Sequence, residues 1–331
     1  MVNRRFRPLI LLLLSWVLML SCCAGEPPPA PLSDFLGKLG YVRVELKRFK
    51  SDRLHPGQGN DLYLDVRVDG KKQKWQLDTG FSITCLDHAV GKRYKTLAEL
   101  HHPVEDPVLG RIDGADFVLI RQLQVGPVRM TNQPALVKDI EKHIGWDERA
   151  GVMGIDLLRR NHAVLDFLGK GLFLRAEKPD YKTAGAFDEM MRRSGWDVIS
   201  LTSDRSLCPI VETQIRGRPL RLVVDSGCEF TQLDLSVALR LGLKLDPTHM
   251  RINGIEDRSS KAYSTTVPLL QLAGVALTNE PVVIADIAPW QSKDGPRFDG
   301  MIGADWLAFG NGVLDCQAGR LYLKPFSRPK K

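Results

Sequence analysis

The feature that most constrains this chain of 331 residues is that it carries one pattern twice. LQVGPVRMTNQPALVKDI, Leu123 to Ile140, aligns without a gap on LQLAGVALTNEPVVIADI, Leu270 to Ile287, with eight of eighteen positions identical at an offset of 147. The loops Leu77-Asp78-Thr79-Gly80 and Val224-Asp225-Ser226-Gly227 share that offset. Further on, Gly151 to Asp156 answers Gly300 to Asp305, and Val164-Leu165-Asp166 answers Val313-Leu314-Asp315, both at an offset of 149, so a two-residue insertion separates the registers. Two long copies mean a duplicated domain and not a solenoid, which needs more repeats.

The copies divide the chain. Residues 1–25 have the form of an export signal: a basic start (Arg4, Arg5, Arg7), an apolar run from Pro8 to Leu20, then Ser21-Cys22-Cys23-Ala24-Gly25. The apolar run is short for a bilayer span. A cysteine straight after it is similar to a bacterial lipoprotein signal, with Cys22 or Cys23 as the lipidated residue; cleavage after Ala24 is the other option. The place expected is therefore the cell envelope, lipid-anchored or periplasmic, or outside the cell, with the membrane met only through that anchor. Residues 26–31, proline-rich, read as an extended spacer. The rest divides into a lobe at 32–175, a linker at 176–184, a second lobe at 185–326 and a basic tail at 327–331, each lobe near the usual size of a domain of about 150 residues.

Within each lobe the punctuation is that of β-structure. Leu62 to Val68 and Ile210 to Ile215 alternate apolar and polar residues and reach the turns Asp69-Gly70 and Arg216-Gly217. The next strand delivers the aspartate loop, whose glycine allows a turn closed to other residues. Each lobe opens with a short helix stopped by glycine, at Ser33 to Leu39 and Ala186 to Arg193. Helical spacing recurs at Leu233 to Leu243, with Leu86 to Tyr94 its weaker counterpart, and each lobe closes with a hairpin, at Ala163 to Arg175 and Val313 to Leu323. Many short strands with glycine turns predict two mainly β domains.

Other chemistries find little support. The net charge of +7 includes the arginines of the leader and the basic tail, and no Lys/Arg stripe is interleaved with aromatics, so nothing points to nucleic acid. No two histidines have the spacing that one helix face needs to bind metal; His101 and His102 are neighbours. Cys85, Cys208, Cys228 and Cys316 could pair in an exported protein, or, as at Cys316, stay as buried thiols. Asp166 and Asp315 read as structural, and Asp156 and Asp305 as helix caps.

With these residues in place the chain resembles the aspartic peptidases, and the bacterial retropepsin-like branch more closely than pepsin. The resemblance rests on Leu77-Asp78-Thr79-Gly80 with Val152-Met153-Gly154, and on Val224-Asp225-Ser226-Gly227 with Met301-Ile302-Gly303. It implies two β-barrel lobes related by a pseudo-twofold axis, with short helices. It also implies catalysis by Asp78 and Asp225, loops braced by Thr79 and Ser226, close backbone approach at Gly80 and Gly227, and packing of Gly154 and Gly303 against those loops. Two facing carboxylates share a proton, so one acts as base toward a water and the other as acid toward the scissile carbonyl; no metal or cofactor is called for. Both lobes in one chain make the expected active species a monomer and the partner a peptide or protein substrate.

The departures are Phe81 and Cys228, where the family places a small residue, and the flap segments Glu105 to Gly114 and Asn253 to Ala262, which lack a glycine-rich hairpin and a pepsin-like tyrosine. Two functions follow: an exported aspartic endopeptidase, or a two-lobed peptide-binding scaffold that has lost turnover.

Overall fold

The computed structural model describes residues 30–48, 62–99, 104–106, 110–112, 116–139, 149–175, 181–203, 207–253, 259–272, 275–288, 291 and 297–324. The leader, with Cys22 and Cys23, and the tail at 327–331 lie outside them.

Each copy closes into a six-stranded β-barrel. In the first lobe the ring runs Leu62–Val68, Lys71–Leu77, Arg149–Met153, Cys85–Asp87, Val128–Lys138, Asp116–Val125 and back to Leu62–Val68. In the second it runs Pro209–Ile215, Arg218–Val224, Gly300–Ile302, Gln232–Asp234, Val275–Ala285, Ser259–Leu272 and back. Strands with alternating burial, such as Leu62–Val68, put one face into the barrel and one toward solvent. The turns are of the hairpin type that takes two positive φ angles, +47° and +83° at Asp69 and Gly70, +51° and +73° at Arg216 and Gly217. The duplicated Thr-Asn also has a backbone reason. Asn132 and Asn279 are both left-handed in the middle of a long strand, a conformation asparagine accepts more readily than most residues.

A third sheet joins the lobes. Its order is Val42–Glu45, Gly171–Leu174, Val164–Asp166, Val313–Asp315, Arg320–Leu323, Asp197–Ser200, so the first three strands come from one lobe and the last three from the other. At its centre Val164 pairs with Asp315, Leu165 with Leu314 and Asp166 with Val313. That register is symmetric about Leu165 and Leu314, where the pseudo-twofold axis passes. Leu165 and Leu314 face the barrels' continuous core. Val164, Phe173, Val313 and Tyr322 face the other way, under the helices Ala30–Lys38 and Tyr181–Arg193, whose Phe35 and Phe187 rings stack at 6.1 Å.

Local boundaries differ from the sequence reading in three places. Ala30 and Pro31, read as spacer, already belong to the first helix, since proline is accommodated in a helix's first turn where its missing N–H costs nothing. Tyr181, read as linker, starts the equivalent helix of the second lobe. The stretch from Leu233 is strand before it is helix: Gln232–Asp234 pairs on both sides, and the helix Leu235–Arg240 begins only after Asp234, whose carboxylate accepts from Ser236 N at 2.9 Å. Asp87 caps the shorter His88–Gly91 in the same way.

Candidate active site

Each aspartate loop is placed by a parallel strand pair. Leu77 pairs with Met153 and Val224 with Ile302; one step further Asp78 N donates to Met153 O at 3.1 Å and Asp225 N to Ile302 O at 2.9 Å. The glycines after those partner strands then pass under the loops. A Cβ on Gly154 would lie 2.8 Å from Phe81 O, and one on Gly303 2.5 Å from Phe230 C, so no other residue fits.

The two loops meet tip to tip. Thr79 N donates to Ser226 Oγ at 3.1 Å and Ser226 N to Thr79 Oγ1 at 2.9 Å; Thr79 Oγ1 donates to Val224 O at 2.7 Å and Ser226 Oγ to Leu77 O at 2.9 Å. Both side chains are fully buried, and each hydroxyl donates once and accepts once, so the network is closed. Within each loop Gly80 N donates to Asp78 Oδ1 at 2.9 Å and Gly227 N to Asp225 Oδ1 at 2.8 Å.

This pairing brings the carboxylates together. A Cβ on Gly80 would sit 2.5 Å from Asp225 Cγ, and one on Gly227 2.2 Å from Asp78 Cγ, so each carboxyl lies against the glycine of the other loop. Asp225 is buried and Asp78 half-buried. Carboxyls so held, each receiving a backbone N–H, are oriented as a pair with little freedom to turn away.

Asp156 and Asp305 are not the N-caps, which are Gly154 and Gly303, but stand in the first turn of their helices, where Asp305 Oδ1 accepts from Trp306 N at 2.7 Å. They clamp the aspartate loops. Thr84 N and Oγ1 both donate to Asp156 Oδ1 at 2.8 Å, and Thr231 N and Oγ1 to Asp305 Oδ1 at 2.8 Å. The same threonine hydroxyls accept from Gly154 N at 3.2 Å and Gly303 N at 3.0 Å. Burial raises both carboxyls above the ordinary range, Asp305 to about 7. Arg160 lies 3.7 Å from Asp156 and offsets part of that; the equivalent of Arg160 in the second lobe is Phe309. Thr84 and Thr231 were not singled out from the sequence, although their spacing of 147 was there to find. Asp166 and Asp315 are structural: each accepts from backbone N–H groups of its own hairpin turn, and burial pushes both up, Asp315 to about 6.

Phe81 is 5 % exposed, so its ring is packed away rather than spread over an open floor. Its carbonyl accepts from Ile155 N and that of Cys228 from Ala304 N, both at 2.8 Å, so the departures at these positions leave the backbone equivalent. Both flap segments contain hairpins: Val104–Asp106 with Gly110–Ile112, and Asp246–Asn253 with Ser259–Leu272, whose tip at 254–258 is outside the described residues. Among the described residues Cys85, Cys208, Cys228 and Cys316 form no disulfide. Among the described residues no group of three or more His, Cys, Asp and Glu side chains could hold a metal.

The sequence profile described as aspartyl protease matches residues 64–157 and 211–306, one region in each lobe and together more than half of the chain. No curated protein matches it.

Proposed function

The chain belongs to the aspartyl protease family, and from that premise we propose that it is an aspartic endopeptidase working as a single chain, with Asp78 and Asp225 as its catalytic pair. The observation that carries this reading is the reciprocal contact of the two loops, which sets each carboxyl on the other loop's glycine. One carboxylate takes a proton from the attacking water while the other, protonated, donates to the carbonyl oxygen of the scissile bond. The tetrahedral species collapses when the amine leaves with a proton from the pair. The buried reciprocal bonds between the loops set this geometry before substrate arrives.

The scaffold alternative rested on Phe81, Cys228 and the flap segments without a glycine-rich hairpin. The burial of Phe81 and the equivalent backbone bonds after both glycines favour turnover instead. Export, with Cys22 or Cys23 as a lipidated first residue, is part of the proposal; intact mass of envelope fractions tests it, since an unmodified amino terminus at Gly25 contradicts lipidation. For the activity itself, an unbiased peptide mixture is digested across acidic to neutral pH, with and without pepstatin. Pepstatin-sensitive internal cleavage is the expected result, and none at any pH contradicts the proposal.

A further inference from the structure

The two active-site glycines are held by more than their own loops. Gln76 Nε2, from the first lobe, donates to Gly227 O at 3.2 Å. Cys208 Sγ, from the second lobe, donates to Gly80 O at 3.3 Å. Each donor crosses the lobe boundary, and both side chains are buried, Gln76 at 4 % exposure and Cys208 at 1 %. Gly227 is the glycine against which the Asp78 carboxyl rests, and Gly80 the one against which Asp225 rests. The chains of contact are therefore Gln76 to Gly227 to Asp78, and Cys208 to Gly80 to Asp225.

These braces do not come from equivalent positions. Gln76 precedes Asp78 on the strand Lys71–Leu77, and its mate in the second lobe is the apolar Val223. Cys208 stands just before the strand Pro209–Ile215, and the register that pairs Ile210 with Val223 runs on to put it across from Asp225. Its mate in the first lobe is Asp61, as far before Asp78 as Cys208 is before Asp225, and Asp61 lies outside the described residues. The approach to Cys208 is itself anchored on the first lobe: Arg159 Nη1 donates to Ser203 Oγ at 3.2 Å and to Leu207 O at 3.4 Å. Leu207 is held at φ +66°, a conformation that costs a non-glycine residue and persists only where the surroundings enforce it.

We infer that Gln76 and Cys208 are positioning residues for the catalytic pair, each fixing across the lobe boundary the glycine that supports one aspartate. An amide N–H is a stronger donor than a thiol, so the support under Asp78 is stiffer than that under Asp225. The two carboxyls of a duplicated site are thereby made inequivalent by two buried side chains outside the aspartate loops. This rests on the proposed peptidase reading, and its test is built so that the two can fail separately.

The variants are Cys208→Val and Gln76→Leu, which are apolar and remove the donor, and Cys208→Ser, which keeps a donor. Each brace loss lowers kcat about tenfold with KM changed less than about twofold, and shifts a limb of the rate–pH profile, because only the geometry of the pair is disturbed. Cys208→Ser recovers most of the rate. Thermal melts and pepstatin binding confirm that each variant is folded. An active wild type with Cys208→Val and Gln76→Leu indistinguishable from it in kcat and pH profile overturns the inference. Carbon-13 titration of the Asp78 and Asp225 carboxyls, assigned with Asn variants, needs no turnover. Curves altered by either variant support the inference, and curves unchanged in both overturn it, even if peptide cleavage by the wild type has already failed.

Discussion

Ser226 and Thr79, 147 residues apart, exchange backbone and side-chain donors: the N–H of each is accepted by the hydroxyl oxygen of the other, at 2.9 and 3.1 Å. Each hydroxyl then donates to a carbonyl of the other lobe, so removing one leaves buried groups of both lobes without their partner. Thr79→Val and Ser226→Ala are each expected to lower stability by about 1–3 kcal/mol. The double variant should lose less than the two losses added, since the second hydroxyl has already lost part of its network. Denaturant unfolding of the three variants checks both points.

Gly80 and Gly227 should tolerate no side chain if the carboxyls are to stay paired. Neither takes a positive φ, so a methyl group there acts through space and not through the backbone. Gly80→Ala and Gly227→Ala are expected to cut turnover by about a hundredfold or more, because a Cβ would have to displace the facing carboxyl. Steady-state kinetics on a peptide that both variants bind makes the comparison.

Stability should fall as pH rises from about 4 to about 7. Burial raises Asp305 to about 7 and Asp315 to about 6, and raises Asp156 and Asp166 as well. A carboxyl whose folded pKa lies above its unfolded value takes up a proton on folding. Its contribution is therefore greatest below about pH 4, where both states are protonated, declines while the unfolded form alone is ionised, and levels off above the folded pKa. Asp65, held low by Lys47 and Lys72, works in the opposite sense but is partly exposed and screened. Asp305→Asn keeps an acceptor for Thr231 and should flatten the slope between pH 4 and 7, read from melting temperatures across that range.

The duplication made most of this architecture legible. The hairpin strands and their Asp-Gly and Arg-Gly turns could be placed from alternation and glycine, because those signals are local, and the aspartate loops from their repetition at an offset of 147; the turn conformation that only glycine can take is not what Gly80 and Gly227 adopt. The sheet between the lobes could not. Its strands Val164–Asp166 and Val313–Asp315 have three residues each, too few to show a period, and they pair across the whole length of one lobe. The clamps that Asp156 and Asp305 add to their place at a helix start were hidden for the same reason. An aspartate beside a helix start is a cap by local rules, and only the fold brings Thr84 and Thr231 to it. Gln76 and Cys208 gave no signal, since positions that differ between the copies are invisible to a search for repeats.

Leu165 and Leu314 pair at the centre of that sheet, with a core continuous from one barrel to the other. Both halves of the site are thus carried by one chain, and specific activity should not change on dilution. Activity measured from micromolar to nanomolar protein, beside sedimentation of the same samples, checks this; a loss that follows dissociation of a dimer is the opposing result.

The central claim is that Asp78 and Asp225 act as one catalytic unit, and single replacement of each by asparagine tests it most directly. Asn keeps an oxygen to accept from Gly80 N or Gly227 N, so the loops should hold their shape while the shared proton is lost. With one peptide that wild type, Asp78→Asn and Asp225→Asn all bind, the account predicts a bell-shaped rate–pH profile for the wild type and no measurable turnover by either variant. The double variant should be no worse than the singles. Substantial cleavage by either single variant would contradict the account.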